Sequence, residues 1–108
     1  MTGALSKNIF ADIPHQLAEE LIESLGEHNN VRIERIISRG HTSPESGWYD
    51  QDQNEWVIVL QGEAELSFAD GTVQHMKTGD YINIEAHQKH RVAWTAPETA
   101  TIWLAIHY

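Results

Sequence analysis

From Val31 to Tyr108, turn residues cut the chain into short runs that are too brief for helices and too apolar for loops: Val31–Ser38, Glu55–Leu60, Glu63–Phe68, Thr72–Met76, Tyr81–Glu85, His90–Thr95 and Thr99–His107. The breaks are Gln61-Gly62, Ala69-Asp70-Gly71, Lys77-Thr78-Gly79-Asp80 and Ala96-Pro97-Glu98, each rich in residues that favour turns. Short strands in close succession, with no helix between them, can bury their apolar faces only as an antiparallel sandwich or barrel. The expected fold class is therefore all-β.

Before Asn30 the period differs. Leu17, Leu21, Ile22 and Leu25 recur at helical spacing, with Asp12 as a cap, Pro14 in the first turn and Gly26 at the stop. This predicts one short amphipathic helix over residues 14–25. The expected organisation is an N-terminal segment and helix, residues 1–30, packed on a barrel of residues 31–108. At 108 residues the whole is a single domain with one core. There is no internal repeat, low-complexity tract or linker.

Charge and composition limit the partners. A formal net charge of −9 repels phosphate backbones and anionic bilayers at long range, so neither nucleic acid nor a membrane is an expected partner. The absence of cysteine removes disulfides and thiolate chemistry and fits a reducing cytoplasm. The opening stretch MTGALSKNIFADIP has no basic flank before an apolar run, and no run approaches the roughly 18 apolar residues of a membrane span. A soluble, untargeted cytoplasmic protein is expected.

Alternation assigns the side chains to faces. Glu55 shares a face with Val57 and Val59, and His90 shares one with Val92 and Trp94. A carboxylate turned inward needs a partner, because a buried unpaired charge costs several kcal/mol or is neutralised. Glu55 and His90 on two strands of one small barrel are able to meet.

These residues resemble the cupins, which are small jelly-roll barrels. Glu55, six residues and Gly62 match the second half of the first cupin motif, whereas Trp48-Tyr49-Asp50-Gln51 fill the window where that motif has His-x-His. Gly79 and His90 align with the first glycine and the histidine of the second motif, and Glu85 and His87 stand in place of its proline and second glycine. The resemblance covers Val31 to Tyr108 and is nearest to small single-domain cupins of unassigned function. It implies a cupin-type antiparallel jelly roll and places Asp50 near the missing second histidine.

Two histidines and a carboxylate on one face make a site for a divalent ion such as Fe, Zn, Ni or Mn. Glu55, His87 and His90 are the candidate ligands here, with Asp50 as a fourth. Trp48, Tyr49, His41 and Trp94 are the candidate pocket-lining residues, Trp94 because it shares His90's face. His107 reads as a packed or terminal histidine, and His15, His28 and His75 as solvated. Two readings stay open: a metal-dependent enzyme of small-molecule metabolism, and a metal-free small-ligand-binding or structural cupin. Both expect a small-molecule partner. Apolar residues on both faces of Glu55–Leu60 and Thr101–Tyr108 further predict a homodimer that packs sheet faces together.

Overall fold

The computed structural model describes residues 4–108, so the first three residues of the N-terminal stretch lie outside it. Eight strands follow in order: β1 (Leu21–His28), β2 (Val31–Ser38), β3 (Glu55–Gln61), β4 (Glu63–Phe68), β5 (Val73–Lys77), β6 (Tyr81–Ile84), β7 (His90–Thr95) and β8 (Thr101–His107). They form a five-stranded sheet in the order β1-β2-β8-β3-β6 and a three-stranded sheet in the order β5-β4-β7. Every pairing is antiparallel. The all-β architecture of two antiparallel sheets is the one expected of a jelly roll.

The core lies between the sheets. Val57, Val59, Trp103 and Ala105 of the large sheet meet Ala64, Leu66, Phe68 and Met76 of the small one, all buried. Alternation in β3 turns Glu55 to this same inner side, next to Val57 and Val59.

The expected helix over residues 14–25 is absent, and the described residues contain no helix. Residues 14–20 are irregular, and Leu21–His28 forms the edge strand β1. Pairing explains the difference. Asn29 takes φ +52°, the left-handed conformation that asparagine tolerates, and with Asn30 closes a tight hairpin that registers His28 against Val31. A bulge between Ser24 and Gly26 absorbs Leu25, so the leucine spacing that suggested a helix fits a kinked strand. The large sheet thus begins at Leu21, ten residues before the Val31 barrel boundary read from the sequence.

The segment before β1 covers the outer side of the large sheet. Arg35, buried on β2, donates from Nη1 to the Ile9 and Ala11 carbonyls at 2.9 and 2.7 Å and pairs with Glu23 at 2.6 Å. Farther along that outer side, Trp56, Ile58, Leu60, Leu104 and Ile106 remain half-buried.

Gly62 shows why the first motif ends in glycine. It takes φ +98° in the β3–β4 turn, and a Cβ there would sit 2.4 Å from Thr101 Oγ1 and 2.7 Å from its Cα. Only glycine lets the turn pass this close to β8.

Candidate active site

Glu55 opens β3 and His90 opens β7, and the two sheets bring their side chains face to face. His90 Nε2 lies 3.5 Å from Glu55 Oε1, and side-chain exposure is only 6% for the histidine and 12% for the glutamate. His90 Nδ1 donates to the Gln88 carbonyl at 2.9 Å, which turns Nε2 toward the carboxylate. The ring is held between Phe68, at a centroid distance of 6.2 Å, and Tyr49, at 5.7 Å. Tyr49 is itself fixed by a two-way backbone bridge to His90. Burial pushes the His90 imidazole toward the neutral form, but the Glu55 hydrogen bond, the Gln88 carbonyl and the Glu55 charge together outweigh it. The net result is a raised pKa.

The pair lines a cavity of about 440 Å³ at the mouth of the barrel. Its other charged and amide walls are Glu20, Arg32, Glu34, Gln51, Asp52, Gln53 and His107. Gln51 Nε2 reaches Glu55 Oε1 at 3.5 Å. Glu20 accepts from the Ser38 hydroxyl at 3.2 Å. Burial raises the Glu20 pKa; the Ser38 bond and His41 oppose it, and the nearby Glu55 charge adds to it.

The four expected ligands separate into two pairs. Asp50 and His87 meet at 2.8 Å on the surface, where the His87 side chain is 64% exposed and sits on a left-handed backbone with φ +65°. They do not line the Glu55–His90 cavity. Among the described residues, no group of three or more His, Cys, Asp or Glu side chains is arranged to hold a metal ion. A divalent ion in a protein cage takes three or four such donors, and His90 Nε2 with Glu55 supplies two. The residues as arranged do not fit a resident metal.

Of the expected pocket residues, Tyr49 lines the cavity and the other three do not. Trp94 is turned outward by a bulge: β7 pairs Trp94 with Glu65 and Val92 with Leu66, which leaves Ala93 unpaired and reverses the faces beyond it. Thr95 is buried as a result, and Trp94 stacks on His75 at 6.2 Å. Trp48 is exposed with the Arg91 guanidinium 5.9 Å from its ring centroid. His41 closes a turn, its Nδ1 accepting from the Arg39 N–H at 2.9 Å.

Sequence reading passed over Arg32 and Glu34; His107, read as a packed or terminal histidine, is buried, and its place in this cavity was not foreseen. Alternation in β2 places Arg32 and Glu34 on the face of Ile36, a detectable signal, because two inward charges in a row are unusual on a core face. Glu20 carried no such signal, since it fell within the expected helix.

The family model described as "Cupin domain" matches residues 36–107. Among solved structures, a candidate mannose-6-phosphate isomerase of Ralstonia eutropha JMP134 is 42% identical over 96% of this chain and 97% of its own, with a TM-score of 0.92. A cupin superfamily protein of Desulfitobacterium hafniense DCB-2 is 20% identical over 88% of this chain and 82% of its own, with a TM-score of 0.72. An RmlC-like cupin of Desulfovibrio desulfuricans is 18% identical over 97% of both chains, with a TM-score of 0.74. No protein of curated function matches the chain.

Proposed function

Because the chain belongs to the cupin domain family, whose shared barrel fixes no single chemistry, we propose from its site that it binds a small sugar phosphate and interconverts aldose and ketose forms by proton transfer, without a resident metal. The observation that carries this is the nearly sealed Glu55–His90 pair on the cavity wall. The 42% identical structure described as a candidate mannose-6-phosphate isomerase supports the substrate class.

The pair suits such a reaction. At 3.5 Å the two groups are farther apart than the roughly 2.7–2.9 Å of a tight charge-assisted bond, so neither is saturated by the other. Glu55 takes the proton from the hydroxyl-bearing carbon beside the carbonyl, and the protonated His90 gives its Nε2 proton to the carbonyl oxygen, forming an enediol. Glu55 then returns its proton to the former carbonyl carbon while the second hydroxyl gives its proton back to His90. One carbon is oxidised, its neighbour is reduced, and no atom is gained or lost. The raised pKa of His90 keeps the acid form available near neutral pH.

The test is to follow mannose 6-phosphate by NMR with chelator-treated protein. Conversion to the ketose is expected. Saturable binding without conversion of this or any other sugar phosphate would favour a recognition module instead.

We also propose a homodimer through the outer side of the large sheet. The half-buried Trp56, Ile58, Leu60, Leu104 and Ile106 support it, because the N-terminal segment leaves them partly uncovered.

A further inference from the structure

The cavity has a second polar end, formed by Arg32, Glu34 and His107. Arg32 Nε donates to Glu34 Oε2 at 3.1 Å, and Glu34 Oε1 lies 3.0 Å from His107 Nε2. His107 is the direct cross-strand partner of both Arg32 on β2 and Glu55 on β3, so this chain and the Glu55–His90 pair share one wall. Among the described residues, the terminal nitrogens of Arg32 make no hydrogen bond, and Arg32 is the one Lys or Arg side chain that lines the cavity.

We propose that Arg32 is the anchor for the phosphate group of the ligand, oriented by Glu34 and His107; this rests on the sugar-phosphate reading above. Among the described residues, the buried His107 Nδ1 has no hydrogen-bond partner. An N–H there would be left unsatisfied at a cost of about 1–3 kcal/mol, so the proton belongs on Nε2, where it is donated to Glu34. Glu34 is thereby held from one side by His107 and fixes the guanidinium through Nε from the other. The two terminal nitrogens are left as a planar fork, the geometry that takes two oxygens of one phosphate.

Each carboxylate of the cavity is paired, shifted or solvated: Glu55 faces His90, Glu34 pairs with Arg32, burial shifts Glu20 toward its neutral form, and Asp52 is exposed to solvent 3.6 Å from His87 Nε2. The net charge of −9 acts over distances that physiological salt screens beyond about 8 Å.

The test uses full-length protein labelled with 15N at histidine, titrated separately with inorganic phosphate and with mannose at pH 7.5 and 0.15 M salt. Inorganic phosphate is expected to shift the His107 ring nitrogens saturably. Arg32→Gln should weaken that response at least tenfold, and Arg32→Lys, which keeps the charge but loses the fork, should fall between. Absence of a saturable His107 shift, or equal phosphate affinity in a folded Arg32→Gln, overturns the proposal. If mannose still perturbs His90 in that case, the acid–base reading survives the loss of the anchor. If phosphate binds through Arg32 while mannose leaves His90 unmoved, the anchor stands and the sugar reading falls.

Discussion

His90 and Glu55, thirty-five positions apart and on different sheets, face each other with little of either side chain exposed. A raised histidine pKa in the fold carries a stability consequence of definite sign. The stabilisation is fully present below the unfolded value of about 6.5 and is lost as pH rises through the higher folded value. The melting temperature of wild type should therefore exceed that of His90→Gln by more at pH 6.0 than at pH 8.5. Equal gaps at the two pH values would show that no charged pair forms.

Gly62→Ala should destabilise the protein by about 1–3 kcal/mol, the range expected for overpacking and for a non-glycine residue at positive φ. The cause is the approach of the β3–β4 turn to Thr101. Denaturant unfolding of the variant measures it. Gly71→Ala shares the positive φ but meets open space, so it should cost less and serves as the control.

Arg35 ties the N-terminal segment down through two carbonyls and the Glu23 carboxylate. Hydrogen bonds to charged groups contribute about 1.5–3 kcal/mol each. Arg35→Met should free the segment, read as faster amide exchange at residues 9–13 with slow exchange retained in β3 and β8. Unchanged exchange at residues 9–13 would mean that apolar packing alone holds the segment.

The half-buried outer patch predicts that sedimentation at micromolar concentration gives twice the 12.3 kDa chain mass. Trp56→Glu, which places a charge in that patch, should shift the equilibrium to single chains. A monomer mass for wild type would refute the sheet-face dimer.

Much of this fold was legible because a strand's face assignment survives wherever pairing is regular. Glu55, Val57 and Val59 alternate without interruption, and the inward Glu55 follows directly. Trp94 failed because the bulge at Ala93 depends on how β7 registers with Glu65 and Leu66, which the residues of β7 alone do not encode. The strand at Leu21–His28 was hidden for a related reason: its leucines fit a helical period until the bulge after Ser24 and the Asn29-Asn30 turn are taken together. His90 and His87 are close in sequence, yet the left-handed backbone at His87 turns it out to Asp50. Arg32, Glu34 and His107 were readable as charged or titratable residues on strand positions, but their meeting depends on β8 lying between β2 and β3.

The central claim, proton transfer by Glu55 and His90 without a metal, is tested most directly by solvent exchange. Chelator-treated protein is incubated with mannose 6-phosphate in D2O, and deuterium entry at the carbon beside the carbonyl is followed by NMR. Wild type should catalyse the exchange, and Glu55→Gln should slow it by about 10²–10⁴-fold, the usual contribution of a general base. Added Zn(II), Ni(II), Fe(II) or Mn(II) should change neither rate. No exchange above background, equal exchange in the two proteins, or exchange that appears only when a metal is supplied would contradict the account.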